Sequence, residues 1–75
     1  MPFIHMYAKS GRDLETKKKA AQAIVKAASE AMGVSETLFT FAYEEIESEE
    51  WGKKVKQAIV EPLSDKLLID SGKPV

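Results

Sequence analysis

The stretch DLETKKKAAQAIVKAASEAMG, residues 13–33, decides how this 75-residue chain is read. Asp13 predicts an N-cap, its carboxylate placed to accept from a first-turn backbone N–H, and Glu15 follows where the helix dipole favours negative charge. From about Leu14 to Met32, Ala20, Ile24, Ala27 and Ala31 recur on one helical face, while Lys19, Gln22, Lys26 and Glu30 point elsewhere. Gly33 closes the helix as its C′ residue. Alanine favours the helix and lets it lie close to a sheet, but it leaves little apolar area to bury.

Both flanks carry a strand period. Upstream, Phe3 to Tyr7 places Ile4, Met6 and Ala8 on one face and Phe3, His5 and Tyr7 on the other, and Lys9, Ser10 and Gly11 form the turn that follows. Downstream, Thr37 to Tyr43 alternates Phe39, Phe41 and Tyr43 with Leu38, Thr40 and Ala42. Strand, long helix and strand in this order predict an α/β (α+β) fold, a right-handed βαβ unit with two parallel strands and the helix packed on the sheet. Two strands leave both edges open, so the sheet is expected to be completed by dimerisation.

The remainder predicts a kinked C-terminal helix. Ser48 can cap it, Trp51, Val55, Ala58 and Ile59 share a face, and Pro62 should kink or break it. Leu63, Leu67 and Leu68 suggest that helix resumes, and Ser71 to Val75 read as terminal coil. With no repeat and no linker, residues 1–75 are expected to form a single domain.

Size sharpens the expectation of a partner. A domain this short buries only about 60% of its unfolded surface and draws help from disulfides, a metal or another subunit. The chain has no cysteine, which excludes disulfides and thiolate metal sites. A net charge of -1 supplies no footprint for nucleic acid. Lys9, Arg12 and Asp13 interrupt the N-terminus before any long apolar run, so neither a signal peptide nor a membrane span is expected, and the protein is read as cytoplasmic.

Conventional catalytic groups are scarce, since the chain has a single histidine and no cysteine. His5, in mid-strand, reads as a surface or interface residue. Lys17 to Lys19 read as a solvated helix face balanced by the acids after Tyr43. Glu44, Glu45, Glu47, Glu49 and Glu50 read as solvated loop and first-turn charges, because they lack the ligand spacing and the glycine of a calcium loop. No metal is expected. Pro2 is the unusual candidate: removal of the initiator Met would leave a secondary amine at the terminus. Such an amine can shuttle protons near neutrality when desolvation or a nearby cation disfavours its charged form.

The Met-Pro start, the short strand, Gly11-Arg12 leading into a helix with Glu15 and Lys17, the strand at Thr37 to Tyr43 and the aromatic Trp51 together resemble one family. It is the 4-oxalocrotonate tautomerase family of the tautomerase superfamily. The likeness runs without gaps from Pro2 through Trp51, about two thirds of the chain, and the spacing of Pro2 to Gly11-Arg12 is its most specific element. The resemblance implies a cofactor-independent isomerase in which Pro2 is the catalytic base, Arg12 binds a substrate carboxylate and Trp51 lines the pocket and excludes water. Thr40 stands where well-known members carry a second, carbonyl-polarising arginine. Together with a C-terminal part that looks like the short dimeric branch, this implies simpler enols, such as that of phenylpyruvate, and a dimer over a hexamer. A non-catalytic dimeric binding module on the same fold is the alternative.

Overall fold

A computed structural model describes all 75 residues. Strand β1 spans Phe3–Lys9, helix α1 spans Leu14–Met32, and strand β2 spans Thr40–Ile46. The two strands pair in parallel in one sheet, which makes the βαβ unit expected from the sequence.

The helix begins and ends as its caps dictate. Asp13 is extended and its Oδ1 accepts from the Thr16 N–H at 2.8 Å. Gly33 sits in the left-handed region at φ 70°, and its N–H donates to the Ser29 carbonyl at 3.0 Å. A side chain at that φ would be strained, which is why the helix stops at this residue. The inward stripe is rotated from the one expected. Lys17, Ala20, Ala21, Ile24, Val25 and Ala28 are half-buried, whereas Ala27 and Ala31 are exposed. Lys17 lies on this stripe, its ammonium 5.7 Å from the centre of the Tyr43 ring and 2.5 Å from Glu45 Oε1 on β2. Residues in phase with Lys17 are therefore the ones turned to the sheet.

The second strand starts and ends three residues later than Thr37 to Tyr43. Ser35 explains its start: its hydroxyl accepts from the Thr37 N–H at 3.2 Å and meets the Thr37 hydroxyl at 2.8 Å. This local bonding draws Glu36–Leu38 into a 3₁₀ turn, and Thr40 is the first residue free to join the sheet. At the other end Glu44 and Glu45 belong to the strand and not to a solvated loop.

The chain divides into two compact units, residues 1–45 and 46–75. The second is irregular. A 3₁₀ turn at Ser48–Glu50 has Glu47 at its N-cap position with no side-chain bond, so Ser48 is not the cap that its type suggested. A π-helix over Gly52–Val60 follows, and the Glu61 N–H that closes it donates five residues back to the Lys56 carbonyl. From Glu61 to Lys66 the winding tightens to 3₁₀, with Pro62 in its first turn, where a missing N–H costs nothing. Pro62 thus changes the winding where a kink or break was expected.

In this unit Trp51, Ile59 and Val60 are half-buried and Val55 is 4% exposed, the one buried residue of the chain. Ala58 is exposed, so it does not share that face. Leu67 and Leu68 lie beyond the last helical turn, and the tail is a hairpin in place of coil. Strand β3, Ile69–Asp70, pairs antiparallel with β4, Lys73–Pro74, through Ser71 and Gly72, whose φ values of 51° and 82° make a tight turn of the type that suits hairpins. The Val75 N–H adds a bond to the Leu68 carbonyl at 3.0 Å. No helix is long and apolar enough to cross a membrane.

Candidate functional site

Pro2 stands immediately before β1, half-buried. Its carbonyl accepts from the N–H of Thr40, the first residue of β2, at 3.2 Å. A proline at the head of a strand forfeits no ladder bond of its own, and this one is fastened to the neighbouring strand through its carbonyl. Met1 ahead of it is 99% exposed. Removal of Met1 therefore sacrifices no packing and leaves the carbonyl tether in place. The residue brought beside Pro2 is Thr40, which offers a hydroxyl and no cation.

Arg12 lies at the other end of β1. Seven strand residues at about 3.3 Å each span roughly 23 Å, several times the reach of an arginine side chain. One chain therefore does not bring Arg12 to its own Pro2. The guanidinium is exposed, and its Nη1 donates to the Lys9 carbonyl at 3.2 Å, folding back over the end of the strand. Two backbone anchors flank it. On one side the Gly11 N–H donates to Glu45 Oε2 at 3.4 Å, and on the other Asp13 is fixed as the helix cap.

Glu45 and Lys17 were not singled out by their sequence positions as a pair. Across 28 residues they meet at 2.5 Å, with Lys17 half-buried in place of the fully solvated position expected for residues 17–19. The hydrogen bond from Lys17 holds the Glu45 carboxyl below its ordinary range, against an opposing push from burial, and the Gly11 N–H and the charges of Lys17 and Arg12 act in the same direction as the bond. Asp13 is also lowered, chiefly by the Thr16 bond. The signal that could have found the pair is positional: a lysine one turn into α1 and a glutamate late in β2 meet only when the register of the βαβ unit is known.

His5 remains on the outer sheet face. Its ring centre is 4.3 Å from that of Tyr7 and 6.1 Å from that of Phe3, and its Nε2 lies 3.0 Å from Glu44 Oε1. Glu44 is thus a paired strand residue. Phe3 in this row is 63% exposed, so the sheet face away from α1 carries an uncovered aromatic.

Trp51 belongs to the second unit, half-buried at the turn that leads into the π-helix. The same unit has an open hollow of about 600 Å³ lined by Glu49, Glu50, Lys53, Lys54 and Ala58, and none of these residues was expected to take part in a site. Lys54 and Glu50 there form an i,i+4 ion pair at 2.5 Å. No group of three or more histidine and carboxylate side chains converges as metal ligands would.

No curated protein and no solved structure matches the chain. The family model described as "Tautomerase enzyme" matches residues 2–62, so the match opens on Pro2, runs through Arg12, Thr40 and Trp51, and ends at Pro62. With most of the chain covered by that model and with the βαβ unit in place, the protein belongs to the tautomerase family.

Proposed function

We propose that the protein is a cofactor-independent keto–enol tautomerase acting in the cytoplasm on small 2-oxo or 2-hydroxy-dienoic acids, with the free amine of Pro2 as its base. The observation that carries this reading is the position of Pro2, the first residue of the family match, fastened to Thr40 at the head of the sheet and adjoining the exposed Met1.

In the proposed reaction the Pro2 nitrogen takes the enol O–H proton. The oxygen electrons then close the C=O bond, the C=C pair shifts to carbon, and carbon takes a proton back from the Pro2 ammonium. A base of this kind works best with its pKa near ambient pH, and a nearby guanidinium would favour the neutral amine. Arg12 binds the substrate carboxylate in bidentate fashion. Because β1 separates Arg12 from Pro2 in one chain, the arginine at a given site is supplied by another copy.

That requirement joins the open edges of a two-stranded sheet in favouring a homo-oligomer, of which a dimer is the smallest. Thr40 beside Pro2 favours monocarboxylate enols such as that of phenylpyruvate over dicarboxylate dienols.

The test compares enol ketonisation by processed protein, Met1-retaining protein and Pro2→Ala. Retained Met1 turns the Pro2 nitrogen into an amide and removes the acid–base group, which lowers the rate by about 10²- to 10⁴-fold. Pro2→Ala keeps a terminal amine, primary in place of secondary and without the fixed φ that aims its lone pair, so its activity should also drop substantially. Activity of the processed form should fall as pH drops through the pKa of the amine, because only the neutral nitrogen accepts a proton. Equal rates in the processed and Met1-retaining forms would overturn the proline mechanism and favour a non-catalytic dimeric module. Sedimentation at micromolar concentration checks the assembly, and a stable folded monomer would overturn it.

A further inference from the structure

The loop that carries Arg12 is held from an unexpected direction. Its Gly11 N–H is bound by a carboxylate from the last residue of the first unit, Glu45, whose other oxygen is occupied by the Lys17 ammonium. The loop after β1 and the first turn of α1, neighbours in sequence, therefore meet the distant end of β2 on one side chain. Lys17 is itself steadied by the Tyr43 ring.

We propose that Glu45 is a positioning residue for Arg12, and that Lys17 keeps the Glu45 carboxylate from competing with substrate for the guanidinium. This rests on the assignment of Arg12 to the substrate carboxylate. Two features of the geometry support it. First, the backbone of Arg12 is clamped on both sides, by Glu45 at Gly11 and by the Asp13 cap at the helix start. A guanidinium on a fixed Cα loses less freedom when it binds, which raises affinity without adding a contact.

Second, a lone carboxylate this close to the loop would be a built-in rival for Arg12, since a guanidinium pairs with a glutamate as readily as with a carboxylate ligand. The Lys17 ammonium at 2.5 Å satisfies that charge. The Arg12 Nη1 donates to a neutral carbonyl, that of Lys9, and keeps its full charge for a ligand.

The proposal predicts a rescue. Lys17→Met leaves Glu45 unpaired and should raise KM for phenylpyruvate enol by about tenfold, the equivalent of losing one charge-assisted contact, with kcat little changed. Adding Glu45→Gln removes the rival charge and should restore much of that KM, whereas a purely structural pair would leave the double variant at least as impaired as Lys17→Met. Glu45→Ala alone should raise KM and speed hydrogen exchange at the Gly11 amide, and it should add little in an Arg12→Ala background because the group it positions is gone.

The outcomes separate the two readings. If Arg12→Ala leaves KM unchanged, the assignment of Arg12 to substrate fails and the present inference falls with it. If Arg12→Ala raises KM but Lys17→Met does not, or the double variant shows no rescue, the inference alone is overturned. Unchanged Gly11 exchange in Glu45→Ala overturns the clamp whatever the kinetics show.

Discussion

The two units of the chain reach order by different routes. Residues 1–45 are built from regular elements, with a helix that starts on the Asp13 cap and stops at Gly33, two parallel strands, and polar side chains that reach across 28 and 39 residues to tie them together. Residues 46–75 hold the one buried side chain, Val55, among 3₁₀ turns, a π-helix and a short hairpin. The first unit is thus defined by caps and cross-links around a half-buried interior, and the second by winding around a single buried valine. Neither encloses a broad apolar core.

The comparison can be broken most forcefully at Val55. Val55→Asp buries a charge in the one enclosed position and should cost about 3 kcal/mol or more. Chemical denaturation followed by hydrogen exchange would show protection lost first over residues 46–75. Earlier loss of protection in α1 would mean that the two units do not differ in the way described.

A smaller effect separates Gly33 and Gly72, two of the three positive-φ glycines. Gly33→Ala forces a side chain into the left-handed region at a helix end and should cost about 1 to 2 kcal/mol, lowering the thermal midpoint. Gly72→Ala meets the same kind of strain at φ 82°, yet it lies in a hairpin whose strands are two residues each. Its cost should appear as local fraying of residues 69–74, seen by exchange, with the main transition unmoved. Equal shifts of the midpoint would assign the hairpin a structural weight that its size does not suggest.

The smallest expected effect is the pH response, which runs in opposite directions in the two units. Asp13 and Glu45 are held below their ordinary values, so their stabilisation is complete above the usual carboxylate range and is lost as pH falls through the lowered values. Lys54 is held above its ordinary value, first by its hydrogen bond to Glu50, so its contribution is complete below the usual lysine value and is lost as pH rises through the raised one. Residue-resolved exchange should show the first unit loosening toward acid and the second toward alkali. Glu45→Gln should remove part of the acid response.

Local chemistry explains where the sequence is legible. The bounds of α1 follow from Asp13 and Gly33, because a cap is a contact between residues three or four apart and needs no knowledge of the rest of the fold. The start of β2 was legible in principle through the Ser35–Thr37 hydroxyl pair, but the alternation of Leu38 to Tyr43 reads as strand from Thr37 when that turn is overlooked. The hairpin was likewise signalled by Ser71-Gly72 and was hidden by reading Gly72 and Pro74 as coil. The π-helix has no comparable local mark apart from Pro62, which announces a change of winding without specifying it.

The candidate site divides along the same line. Pro2 stands out by residue type and position, and Arg12 and Trp51 through the resemblance to the tautomerase family. Their separation does not. The sequence by itself determined the order β, α, β, the ends of the long helix and the chemical character of the groups at hand, because these depend on short-range propensity, capping and period. Only the tertiary structure decided that Pro2 and Arg12 occupy opposite ends of one strand, that Thr40 tethers the proline, and that Glu45 and Lys17 brace the arginine loop. Those relations depend on strand register and helix rotation, which arise from contacts between residues far apart in the chain and are fixed only when the helix has settled on the sheet.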